Sequence, residues 1–214
     1  MVRLSKSPLP LGVTIESEKD YRKGEVLSTL TTDCYEKCYI CEDKPIKINI
    51  EHITPHRSDP MLKFDWNNLF LACGHCNSIK HTKYDDIIDP TKCDPEMHIA
   101  LSVEITDNFI EQVKIELLST DSQATQTVEL LELIYNEGST DIQKIECSNL
   151  RNSHLVPNIR LFYQFIQDHK KEPELGYYET ICKEIDRSSI YAAFKRKIIR
   201  DDPELSVAFA DVLQ

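Results

Sequence analysis

The chain lacks a basic excess. Its 214 residues hold 25 Lys and Arg against 36 Asp and Glu, a formal net charge of −11. A protein that grips nucleic acid unaided usually carries a basic footprint that neutralises phosphates, and this composition excludes one spread over the whole chain. Glycine is scarce, with five residues against ten prolines, and no low-complexity tract or internal repeat occurs. A linker-dominated or repeat protein is thereby excluded. No stretch approaches the length of a membrane span, and the opening Met-Val-Arg-Leu-Ser-Lys-Ser-Pro has no apolar run to serve as a signal peptide. The expectation is a soluble, cytoplasmic protein with no membrane partner. At 41% apolar and 29% charged residues the chain is a little polar for a globular protein without reaching the range of disorder. Its length suits one medium domain or two small ones.

Cysteine, by contrast, is plentiful, and four of the eight fall into two Cys-x-x-Cys pairs, Cys38/Cys41 and Cys73/Cys76. In a chain expected inside the cell such pairs read as metal ligands rather than disulfides. A thioredoxin-like site would need one such pair opening a helix after a strand within a βαβ unit, and that unit is missing. Four thiolates from two such turns close a tetrahedral site with no open position, which makes a structural zinc centre. Cys93, Cys147 and Cys182 read as apolar filling. Cys34, one helical turn before Cys38, is a possible substitute ligand.

Periodicity sketches an α+β chain. Pro8 and Pro10 hold an extended arm, and Glu25–Leu30 has helical spacing, so residues 1–33 form an N-terminal arm and helix. Lys47–Ile50 alternates as a half-buried strand and Leu69–Ala72 is a short apolar one, with a loop over 53–66 between them. Asn77–Tyr84 should be helical. Strand, long loop, strand and helix thus make a core over 34–98. Over 99–214, Ile99–Leu118 should form a strand pair turning near Thr106 to Asn108. Helices follow, with apolar residues at 128, 131 and 134 and again at 159, 162 and 165. Tyr178–Arg200 reads as one further amphipathic stretch. Its closing Lys195-Arg-Lys-Ile-Ile-Arg200 could touch phosphate, but cations at a helix C-terminus also complement its dipole, and that is the better reading.

Between the cysteine pairs lie Glu51-His52-Ile-Thr-Pro55 and Asn67-Asn68. Glu51 and His52 are adjacent at a strand end, so their side chains leave on opposite faces. One can bind a cation while the other faces a water. Asn77 and His81, four apart, would share a helix face that meets Glu51 across the strand pair. Carboxylate, amide oxygen and imidazole suit Mg²⁺ or Mn²⁺ better than zinc. His52 is then free to act as general base. His56 and His75 read as loop or zinc-turn surface residues, and Arg57 and Lys80 as solvated charge.

The order Cys-x-x-Cys, Glu-His-Ile-x-Pro, Asn-Leu-x-Leu-x-Cys-x-x-Cys over roughly residues 38–84 resembles the zinc-braced branch of the HNH endonucleases, built on a ββα-metal core. The resemblance implies that His52 deprotonates the attacking water and that Asn68 braces the loop and orients that histidine. It also implies that Glu51 and Asn77 bind the catalytic cation while Cys38, Cys41, Cys73 and Cys76 bind zinc. Two departures stand out. Asn77 occupies the place of the family's last histidine, with His81 one turn later either restoring an imidazole or serving only as a surface residue, and Glu51 replaces the commoner aspartate.

Shorter features resemble the HNH proteins of Septu-type and retron-linked anti-phage systems: the Ser-Pro start with Tyr21-Arg22, the Cys-Tyr-Ile-Cys-Glu turn, and Thr127-Val-Glu-Leu-Leu-Glu-Leu133. That resemblance implies an ATPase partner. The first hundred residues carry 13 cations against 16 anions and the rest 12 against 20. The acid excess thus lies outside the motif, as expected if a partner supplies nucleic-acid affinity and docks on 99–214. DNA is the favoured substrate and RNA the other. The competing reading is a zinc-braced nucleic-acid or protein binding module without catalysis, which would not require Glu51, His52, Asn68 and Asn77 together.

Overall fold

β-Branched and aliphatic residues alternate with polar ones over Lys47–Ile50, and the chain extends there into strand β1 (Ile48–His52). Its antiparallel partner β2 (Leu69–Cys73) is buried along its whole length, in register Ile48 with Cys73 and His52 with Leu69. The computed structural model describes residues 1–22, 24–103 and 112–213.

The segment that precedes this hairpin is anchored across it. Helices α1 (Glu18–Tyr21) and α2 (Gly24–Asp33) follow an extended arm. In the arm, the ammonium of Lys6 donates to the carbonyls of Trp66 and, at 2.6 Å, of Leu69, and sits 4.2 Å over the Trp66 ring. Burial lowers its pKa to about 8. The Trp66 indole returns a bond to the Ser7 carbonyl at 2.8 Å.

The connection between β1 and β2 is more ordered than the loop its prolines suggest. Asp59 accepts from Met61 N and caps a single helical turn, α3 (Pro60–Lys63), and Asp65 caps a 3₁₀ turn at Trp66–Asn68 in the same way. After β2, helix α4 (Gly74–Lys80) starts earlier and ends sooner than Asn77–Tyr84. It is capped by the Cys73 sulfur, which accepts from Cys76 N at 3.3 Å. It stops because His81 takes φ +42°, in the left-handed region, while its N–H still closes on the Asn77 carbonyl. His81 therefore lies off the helical face that carries Asn77.

The second strand pair is present as β3 (Ile99–Val103) and β4 (Val113–Leu117), antiparallel with Ile99 opposite Leu117. The turn expected near Thr106 to Asn108 falls outside the described residues. Helices α5 (Ser122–Glu132), α6 (Asp141–Asn149) and α7 (Val156–Lys171) follow, joined by π-helical turns at Leu133–Glu137 and Leu150–Leu155. The stretch 178–200 is two helices rather than one, α8 (Tyr177–Ile185) and α9 (Ala192–Asp201), with α10 (Pro203–Ala208) after them. Asp186 breaks the run by leaving helical geometry and accepting from Ser188 N at 2.8 Å. The buried Lys37 ammonium then holds the Arg187 and Ser189 carbonyls, each at 2.6 Å.

One buried cluster runs from Met1 through the hairpin to Ile159 and Phe194; a smaller one joins α7, α8, α9 and α10 around Phe162, Ile181, Ile199 and Phe209. The architecture is α+β, with a four-cysteine ββα core, a second strand pair and a mainly helical remainder. Among the described residues no helix is long and apolar enough to cross a membrane.

Candidate active site

The hairpin has two ends with different chemistry. At one, Cys73 closes β2 beside the start of β1, and its sulfur joins those of Cys38, Cys41 and Cys76, all four within 4.8 Å of one another. Tetrahedral thiolates around zinc sit about 3.8 Å apart, given a Zn–S bond of about 2.3 Å, and Cys41 and Cys73 are separated by 3.8 Å. All four are buried, and four thiolates leave a tetrahedral metal no open position. The residues fit a closed structural zinc site. Cys34 is buried but outside this group, its thiol pushed up to about 11 by burial.

The other end of the hairpin lies about 13 Å away along β1, where the strand finishes on Glu51 and His52. Helix α4 begins at the four-cysteine cluster and runs back toward this end, so a metal held there would fix the helix that carries Asn77 and Lys80. Lys80, the last residue of α4, is wholly buried. Its ammonium lies 2.8 Å from Glu51 Oε1 and donates to the His52 carbonyl, also at 2.8 Å. Lys80 is thus no solvated charge. Burial raises the Glu51 carboxyl above its ordinary range, while the Lys80 ammonium pulls it back. Asn77, one turn earlier, faces the same side of α4 as Lys80. Its half-buried side chain makes no hydrogen bond among the described residues. Glu51 and Asn77 bring oxygen donors of the kind a hard divalent cation takes, with one Glu51 oxygen already held by Lys80.

His52 is half-buried, and its Nε2 lies 2.9 Å from the Lys63 carbonyl. A carbonyl can only accept, so Nε2 carries the proton and Nδ1 keeps its lone pair. Burial pulls the imidazole below its ordinary pKa, against the opposing effect of that hydrogen bond. The buried Tyr21 packs edge-on to the His52 ring at 6.0 Å.

Asn68 is 4% exposed and does not face outward. Its Oδ1 accepts from Thr54 N at 2.8 Å, and its Nδ2 donates to the carbonyls of Thr54 and Leu62, each at 2.9 Å. Both ends of the β1–β2 connection are fastened to one amide, next to the Lys63 carbonyl that holds His52.

His75 and Lys80 do not sit as the sequence suggests, whereas His81 takes the exposed one of its two expected placements and His56 lies in the loop as expected, though half-buried. His81 is exposed past the helix end, with Nδ1 3.1 Å from Thr82 Oγ1. His75 is no surface residue: its ring contacts Glu146 Oε2 at 3.0 Å and the Ile134 carbonyl at 2.8 Å, tying the zinc turn to the helical region. His56 stands beside His52, ring centroids 4.8 Å apart. Lys80, as above, is internal. A histidine four residues after His52 was the available signal for His56; nothing in the sequence marks a lysine for burial.

With this geometry in place, a comparison with protein families adds a finding. Residues 38–83 match the family model described as HNH endonuclease. The match spans the zinc cluster, β1, β2 and α4, a little over a fifth of the chain, and supports assigning this segment to the HNH family. At the level of that family it brings nuclease chemistry and a nucleic-acid substrate. No curated protein matches the chain.

Proposed function

We propose that the chain is a divalent-metal-dependent endonuclease that hydrolyses phosphodiester bonds, with DNA the favoured substrate and RNA the other. The observation that carries this reading is His52. A neutral imidazole with its proton committed to the Lys63 carbonyl leaves Nδ1 as a base, one residue from a carboxylate that can hold a cation. In the proposed reaction His52 Nδ1 takes the proton from the attacking water. Glu51 and Asn77 hold the cation, Lys80 fixes the Glu51 side chain, and Asn68 keeps the loop that orients His52 in place. When bound, the cation supplies positive charge against the charge that develops on the phosphoryl and leaving 3′-oxygens.

We further propose that the protein acts as the nuclease subunit of an anti-phage complex beside an ATPase. The short motifs quoted above and the net charge of −11 support this reading. Region 99–214 is the docking surface in this scheme, since it holds none of the site residues and carries most of the acid excess.

The test is cleavage of plasmid DNA, single-stranded DNA and bulk RNA with Mg²⁺ or Mn²⁺, by wild type and His52→Ala, alone and with any protein that co-purifies. The expected result is metal-dependent cutting that His52→Ala abolishes with zinc content and fold intact. Normal cutting by the variant would remove His52 as the base. No cutting under any condition by a folded, zinc-loaded wild type would leave a binding module.

A further inference from the structure

The turn after β1 carries two successive non-glycine residues in left-handed backbone, Arg57 at φ +45° and Ser58 at φ +71°. Such geometry is costly for side chains with a Cβ and persists only when its surroundings hold it. Here they do: the Arg57 guanidinium pairs with Asp85 Oδ2 at 2.6 Å and reaches the Thr82 carbonyl, while Asp59 N closes on the His56 carbonyl at 2.7 Å. One product of this backbone path is that Ser58 N–H donates to His56 Nδ1 at 3.0 Å.

A backbone N–H can only donate, so His56 Nδ1 is the acceptor and the ring proton sits on Nε2. That Nε2–H meets no hydrogen-bond partner among the described residues, and the half-buried ring packs against His52 at 4.8 Å between centroids. The two imidazoles are thus set to complementary tasks by their backbone partners. His52 offers a lone pair on Nδ1, and His56 beside it offers a proton on Nε2.

We propose that His56 is a second catalytic histidine, whose Nε2–H donates a hydrogen bond to a non-bridging phosphoryl oxygen of the bond being cut. This rests on the nuclease reading above and names a residue that the reading leaves unused. The role is hydrogen-bond donation without proton transfer, because a non-bridging phosphoryl oxygen is far too weak a base to take the remaining proton of a neutral imidazole. As the phosphoryl group gains charge in the transition state, a donor held in place beforehand gains strength without reorganising. The held turn from Arg57 to Asp59 supplies that fixed position.

The experiment compares wild type, His56→Ala, His56→Gln and His52→Ala in Mn²⁺-dependent cleavage of one oligonucleotide. It is paired with ¹H–¹⁵N NMR of the histidine rings in wild type. His56→Ala should lower kcat by about a hundredfold to a thousandfold with little change in KM, zinc content or unfolding midpoint. His56→Gln, which keeps an N–H donor, should recover part of the loss. In the NMR experiment His56 should be protonated at Nε2, and adding a dinucleoside monophosphate should shift that signal. Full activity in His56→Ala while His52→Ala is dead would overturn the His56 role and leave the nuclease reading standing. An inactive wild type would sink the nuclease reading instead. In that event the NMR result decides for His56: an Nδ1-protonated ring, or no shift with the dinucleotide, overturns the phosphate contact.

Discussion

Asn68 ties together the backbone around His52 from inside the protein. Its amide satisfies three backbone groups, from Thr54 and Leu62, inside a nearly closed environment. Replacing it with alanine strands those groups, at a cost of about 2–4 kcal/mol in folding stability. It also frees the neighbouring Lys63 carbonyl that fixes the His52 tautomer. Asn68→Ala should therefore lower the chemical-denaturation midpoint and reduce cleavage together. A variant that loses activity at wild-type stability would point instead to direct contact with substrate. At this scale the motif order made Glu51, His52, Asn68 and Asn77 candidates, and the fold places Glu51 and His52 at the end of β1 with Asn68 bonded beneath the loop that follows. Lys80 was not legible. A lysine is buried only when partners meet its ammonium, and Glu51 and the His52 carbonyl lie 29 and 28 residues away along the chain.

For the elements, the cysteine spacing and the alternation at 47–50 exposed the ββα core, since hairpin and zinc turns are local. Helix boundaries were harder. Residues 77–84 contain neither glycine nor proline to mark a stop, and α4 ends through the unusual backbone of His81. This boundary matters, because it sets Lys80 and not His81 against Glu51. The zinc cluster anchors the start of α4 and the arrangement of Asn77 and Lys80 follows from it. Stripping the metal with a strong chelator should therefore melt the segment 38–83 and release Glu51 from Lys80. Circular dichroism and thiol titration, measured together, should show four thiols becoming reactive as structure is lost. If Cys38, Cys41, Cys73 and Cys76, rather than the half-buried Cys93 and Cys182, react freely before the chelator is added, with structure unchanged, a structural metal is excluded.

Across the whole molecule, the cluster Lys195 to Arg200 belongs neither to phosphate nor merely to a helix dipole. Arg196 is 1% exposed and forks onto both oxygens of Glu96, at 3.1 and 2.8 Å, while also capping the Ile185, Val212 and Leu213 carbonyls. Arg200 joins it on Glu96 at 2.7 Å, Lys195 pairs with Glu184, and Lys197 pairs with Asp201. Sequence periodicity could not show this, because Glu96 lies 100 residues from Arg196 along the chain. With these cations paired to acids of the same chain, the buried carboxylate of Glu96 among them, the cluster offers little to a polyanion, and the net charge of −11 stays uncompensated there. Arg196→Met should then cost on the order of 3 kcal/mol, at the low end for a buried pair because Arg200 still meets Glu96. It should leave nucleic-acid affinity unchanged where the variant remains folded. Denaturant titration and fluorescence anisotropy separate the two effects. A variant of wild-type stability with weakened nucleic-acid binding would mean that phosphate, and not Glu96, is the guanidinium's working partner.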